Sequence, residues 1–286
     1  MIAANLATKA SEHTLNHLSV VLCNQAGMRG DGFPWHCGLT WAGALVDESP
    51  LVNGPVCQEV SNYLIYLDTK FPVGVNHVSM PRGTGIPIGG STGYNSIVLT
   101  SHYPSRQHLT NGFTDESGVK LTLTKEDKKK VGAVEVYVWG FIEANRTGEV
   151  VGSYTLDQDV KLHLISGYGH GHDLSLLATM WKVDGRNGRR TLLLQQEPRV
   201  EHFYKEIDSS VVLVKGDQLL FRCVFENKSP EEVEIRNTDM CIFPLIYYVE
   251  GDHLLTPKII YTYDRRQEQE FRGRAPLDPS SKVVLH

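Results

Sequence analysis

The stretch HLISGYGHGHDLS, residues 163–175, carries three histidines, His163, His170 and His172. In an extended strand, residues i and i+2 point to the same face, so His170 and His172 would present two imidazoles side by side. Imidazole nitrogens are ligands for copper and zinc. The residues alone leave two readings open: a metal site, or a pair of histidines on a solvated surface. A metal site needs a third donor from elsewhere in the chain. His163 lies seven residues before His170, which puts it on the opposite face of a regular strand.

The elements that must position these residues read as strands. No long stretch shows helical periodicity. Short runs rich in β-branched and aromatic residues alternate with Gly, Pro, Asn and Asp. They include residues 17–23, 95–103, 118–124, 133–143, 175–183, 190–196, 210–226 and 240–250. Residues 57–70 fit a strand or a short helix. Many short strands at this spacing predict antiparallel sandwiches, an all-β fold. Turn residues cluster near Pro104 to Gly112, and a domain boundary is set there: residues 1–106, then 107–263. The charged tail 264–286 is expected to be extended or disordered. The glycine-rich segment 83–93 lacks the Lys-Ser/Thr ending of a phosphate loop. Its glycines are expected to serve turns and a close backbone approach.

Composition narrows the function classes. The chain of 286 residues has a formal charge of −5 and no basic stripe, which argues against a nucleic-acid partner. Its longest apolar runs, such as 241–249, are too short to span a bilayer. The N-terminal residues lack the apolar core of a signal peptide. The five cysteines, Cys23, Cys37, Cys57, Cys223 and Cys241, form no CxxC pair. Asn145-Arg146-Thr147 has the pattern of a glycosylation acceptor, and Asn227-Lys228-Ser229 has it in a form weakened by Pro230. These features point to an oxidising compartment. A natural chain longer at its N-terminus would reconcile them with the missing leader.

HLISGYGHGHDLS resembles a signature of the copper type II, ascorbate-dependent monooxygenases, the family of peptidylglycine α-hydroxylating monooxygenase and dopamine β-monooxygenase. That signature is a His, a His-Thr-His seven positions on, and a Gly three after. His163, His170 and His172 match; Gly171 stands for the Thr and Ser175 for the Gly. In the family a methionine of a Met-Cys pair completes this copper site, and Met240-Cys241 matches it. The segments 215–225 and 82–103 resemble further family segments in the same order, so the resemblance covers roughly residues 10–250. It implies two antiparallel, jelly-roll-like sandwiches, the first incomplete. It also implies disulfides Cys23–Cys57 and Cys223–Cys241, with Cys37 matching a cysteine whose partner is absent. His170, His172 and Met240 would hold the oxygen-activating copper, with His163 orienting it from outside. His17 and His102 would serve the electron-transfer copper.

The pattern also fails in places. Asn16 stands where the family has the first His of a His-His pair, so the electron-transfer site is expected to be impaired. His13 would lie about 13 Å away along a regular strand. Tyr168, Ile242 and Pro244 occupy the places of an Arg, an Asn and a Tyr that fix a peptide carboxylate, so peptide amidation is not expected. The resulting expectation is a copper-dependent monooxygenase using O2 and a reductant such as ascorbate, in the secretory pathway. Its substrate would be a small or peptide-like molecule. The alternative is a non-catalytic copper-binding or structural relative.

Overall fold

The computed structural model describes residues 5–9, 17–28, 35, 54–58, 61–68, 77–102, 118–201, 203–236, 238–251, 253–255 and 259–263. His13, Asn16, Cys37, the turn cluster at 104–112 and the tail 264–286 lie outside these residues. Among the described residues the chain is built of strands, with no α-helix.

Two compact units divide it: Met1–His77 with Gly85–Lys128, and Val78–Thr84 with Lys129–His286. In the first part of the chain the strands are β1 (Asn5–Lys9), β2 (His17–Cys23), β3 (Ser61–Asp68), β4 (His77–Ser79), β5 (Thr84–Gly85), β6 (Ser96–His102) and β7 (Gly118–Lys120). Ala7, Thr8 and Lys9 pair with Lys120, Val119 and Gly118, and this antiparallel contact keeps β7 with the first unit. Within that unit β2 lies between β3 and β6, antiparallel to both. The Cys23–Cys57 disulfide, with Cα atoms 5.4 Å apart, fastens the end of β2 to a small core of Val21, Val56 and Val98. Within 57–70 the described residues Ser61–Asp68 form a strand. In the glycine-rich loop, Gly83, Gly89, Gly90 and Gly93 all have positive φ. A Cβ at any of them would meet nothing within 4 Å, so they serve turns and make no close approach.

The second unit holds β8 (Lys129–Ile142), β9 (Arg146–Thr155), β10 (Lys161–Gly167), β11 (Ser175–Val183), β12 (Arg190–Gln196), β13 (Lys205–Glu206), β14 (Val212–Leu213), β15 (Gln218–Asn227), β16 (Val233–Ile235), β17 (Ile242–Glu250) and β18 (Ile259–Tyr263). One sheet runs β13-β10-β17-β8-β16, with β14 beside β10 and β18 beside β8. The other runs β12-β11-β15-β9. Strand β15 shows how sequence dictates the layering. Leu219, Phe221, Cys223 and Phe225 point inward while Gln218, Arg222 and Glu226 alternate outward. They meet Val134, Val136 and Val138 of β8 and Phe243, Leu245, Tyr247 and Val249 of β17 in one core between the sheets. The Cys223–Cys241 disulfide crosses that core, with Cα atoms 6.0 Å apart, and joins β15 to the residue before β17.

Candidate metal centre

The two central histidines sit just beyond β10. His170 and Ile242 exchange both backbone hydrogen bonds, N–H to O at 2.8 Å and 3.1 Å. The regular strand expected to carry the His-x-His ends earlier, at Gly167, so this bridge holds the segment in place of a continuous ladder. The rings of His170 and His172 stand 5.0 Å apart between centroids and at 89° to each other. Two imidazoles sharing one metal reach a similar spacing. A metal–nitrogen bond of about 2 Å plus about 1.1 Å to the ring centre, at a tetrahedral angle, gives roughly 5 Å. His170 is buried and its ring meets the edge of Tyr168 at 6.2 Å, whereas His172 is exposed.

Beyond His170–Ile242 the ladder does not continue, because the amides of His172 and Met240 both turn to the Asp239 carboxylate. The main chains are close there. A Cβ on Gly171 would lie 2.6 Å from both the Cβ and the Oγ of Ser175 and 2.9 Å from the Met240 carbonyl oxygen. Glycine at 171 is therefore a condition of this approach. Ser175 is fully buried, and its hydroxyl has no hydrogen-bond partner. Relative to the family pattern the bulk has moved from one position to the other: Ser175 fills the room that a side chain at 171 would need. Met240 is half-buried and follows directly on Asp239, a residue the sequence reading did not single out. Asp239 Oδ1 accepts the N–H groups of His172 and Met240, each at 2.6 Å, and Oδ2 accepts that of Leu174 at 2.7 Å. The available signal was an acidic residue immediately before the Met-Cys pair, but composition gives no reason to choose it.

The three positions lacking the peptide-binding side chains lie together. Tyr168 N–H donates to Pro244 O at 3.3 Å. Pro244 and Ile242 pair in turn with Glu135 and Tyr137 of β8. The rows Tyr168–Pro244–Glu135 and His170–Ile242–Tyr137 thus share one face, opposite the core. Glu135 is a second residue the sequence reading missed. It is 4% exposed, and the Tyr137 hydroxyl donates to its Oε2 at 2.8 Å. Burial pushes the Glu135 carboxyl up to about 7, against the opposing pull of that hydrogen bond.

His163 stands apart. A bulge between Leu164 and Ser166 shifts the β10–β17 register by one residue. His163 is opposite Tyr248 and His170 opposite Ile242, six residues apart on β17. The even count puts both histidines on the same face, contrary to the odd spacing in sequence, but about 20 Å apart. The His163 ring stacks on Tyr248 at 4.4 Å and 3°, with its Nε2 3.3 Å from Glu250. Lys161 first, then His163 and Lys129, draw the Glu250 carboxyl below its ordinary range. His163 therefore belongs to this cluster. In the first unit, His17 of β2 and His102 of β6 are direct cross-strand partners. Among the described residues no three or more His, Cys, Asp and Glu side chains gather as a metal site.

Comparison with known proteins gives a family match. Residues 138–266 match the family described as "Copper type II ascorbate-dependent monooxygenase, C-terminal domain". The chain is 25% identical over 259 residues to the peptidyl-glycine alpha-amidating monooxygenase of Mus musculus, covering 87% of this chain and 24% of that protein. It is 26% identical to the Rattus norvegicus protein, with the same coverage, and 20% identical to the tyramine beta-hydroxylase of Caenorhabditis briggsae, covering 84% and 41%. The chain thus spans about a quarter of the length of the amidating relatives. Among solved structures, an infectious bursal disease virus VP2 subviral particle superposes with a TM-score of 0.24 at 11% identity, covering 85% of this chain and 55% of that one. A superposition of that quality carries no argument.

Proposed function

Residues 138–266 belong to the copper type II ascorbate-dependent monooxygenases through their C-terminal domain, and from that premise we propose that the chain is a copper-dependent monooxygenase acting on a C–H bond. His170, His172 and Met240 would hold the reactive copper. The observation that carries this reading is the perpendicular imidazole pair at 5.0 Å, with the Met240 main chain alongside. The donor set fits copper, since imidazole serves both oxidation states and a thioether favours Cu(I). Copper bound there would supply dioxygen reduction and hydrogen-atom abstraction, with electrons from a reductant such as ascorbate. Buried His170 fixes one donor direction through its bridge to Ile242, and exposed His172 leaves the site open to an incoming molecule.

His17 and His102 would serve an electron-transfer copper, weakened because Asn16 replaces a histidine. The substrate is a small or peptide-like molecule. Tyr168, Ile242 and Pro244 give its carboxylate no cation to bind. We place the protein in the secretory pathway, which fits its two disulfides. Among the described residues no helix is long and apolar enough to cross a membrane. A non-catalytic copper-binding relative is the second reading, favoured by Asn16. Copper titration combined with ascorbate-dependent oxygen uptake separates the two. The enzyme reading expects one firm site, one weak site, and uptake abolished by His172→Ala. Copper bound without any uptake selects the second reading, and the absence of firm copper binding refutes both.

A further inference from the structure

We propose that Asp239 is a positioning residue that locks the His172 segment to the Met240 segment, and so sets the distance between imidazole and thioether donors. The inference rests on the copper site proposed above. The β10–β17 pairing closes with the His170–Ile242 bridge. Beyond that point the two segments run on together, and the Asp239 carboxylate is what spans them. One oxygen accepts from the amides of both His172 and Met240, at 2.6 Å each, and the other accepts from Leu174 at 2.7 Å. Asp239 is 1% exposed, so water does not compete for these bonds. A carboxylate suits the task because it is acceptor-only and can meet three converging N–H groups. Asparagine can keep one oxygen in place but turns an NH2 toward a donor.

Groups that orient metal ligands from outside the coordination sphere typically change metal affinity 10–100-fold when removed. Asp217 provides an internal control. It is likewise buried, and accepts from the Gly185 and Val214 amides at 3.0 Å each and from Lys182 Nζ at 2.8 Å, at the end of β15 remote from Cys223. Two readouts are measured on the full chain. One is Cu(I) affinity by competition with a chromophoric chelator, and the other is the sulfur neighbour of copper by X-ray absorption. Asp239→Ala should weaken Cu(I) binding 10–100-fold and lose the sulfur signal, with Asp239→Asn intermediate. Asp217→Ala should unfold more easily yet keep both copper readouts. Asp239→Ala binding like the parent chain refutes the role of Asp239 alone. Asp217→Ala weakening copper as much as Asp239→Ala also refutes it, because general destabilisation then explains the loss. A parent chain without firm Cu(I) and a sulfur neighbour refutes the copper site itself, and the positioning role with it.

Discussion

Replacing Gly171 by alanine tests the packing that brings the candidate ligands together. The added carbon would stand 2.6 Å from the Ser175 Cβ and Oγ and 2.9 Å from the Met240 carbonyl oxygen. Carbon contacts are optimal at about 3.5–4.0 Å, so it arrives roughly 1 Å too close to Ser175. Neither neighbour retreats easily. Ser175 opens β11 and pairs with Phe225, and Met240 adjoins the Cys223–Cys241 bridge. Overpacking of this kind costs about 1–3 kcal/mol. Ser175→Gly alone costs about 0.5–1 kcal/mol as a strand glycine. Independent effects would sum to about 1.5–4 kcal/mol in the double variant. The double variant instead removes the two nearest contacts. It should therefore be more stable than Gly171→Ala alone, with a coupling of about 1–2 kcal/mol. Urea unfolding of the four chains measures the cycle, and amide exchange at Cys241 and Ile242 shows whether the strain is local. Additivity within about 0.5 kcal/mol, or a Gly171→Ala chain as stable as its parent, would refute the exchange of bulk between positions 171 and 175.

Three further outcomes are expected. Glu135 has its folded pKa raised from 4.5 to about 7, so its contribution is undiminished below pH 4.5 and is lost as pH rises through 7. Glu135→Gln should flatten that fall, which is on the order of 3 kcal/mol across the window; unchanged stability-versus-pH curves would show that the carboxyl is not buried uncharged. Replacing both Cys223 and Cys241 by serine opens a link with a sequence separation of 18, and should cost about 3 kcal/mol in urea unfolding; a loss under about 1 kcal/mol contradicts a stapled sandwich. Expressed through a secretory pathway, the chain should carry glycan at Asn145, which is exposed with φ 52°, and none at Asn227. The Asn227 Nδ2 already donates to the carbonyls of Ile142, Glu143 and Glu231 and is buried, so glycan mapped to Asn227 in the folded protein would overturn this assignment.

The run 210–226 reads as one strand, but the structure divides it into β14 and β15 with Gly216 between them, and alternation holds in β15, where one face meets the core and the other meets solvent. The same logic recovers 175–183 and 190–196 as strands with those bounds. It misses β9, whose RTGEVVGSYT carries two glycines, and β18, which pairs parallel to β8 over only five residues. At the candidate site, residue types and family spacing selected His170, His172 and Met240, and both disulfide pairings were legible from the resemblance. Three features were not legible, each because it depends on register. The bulge at Leu164–Ser166 turns the odd spacing of His163 and His170 into a common face, and no residue type in LISG marks it. Glu135 enters the site's face only through the pairing of Pro244 with β8, 109 positions away in sequence. Asp239 acts through three backbone amides, which any residues at 172, 174 and 240 would supply. The donors of this site are thus written in side chains, while the geometry that would make them a site is written in strand register. A relative can therefore keep every donor and still lose the site through a one-residue slip, because such a slip turns every side chain of a strand to the other face of its sheet.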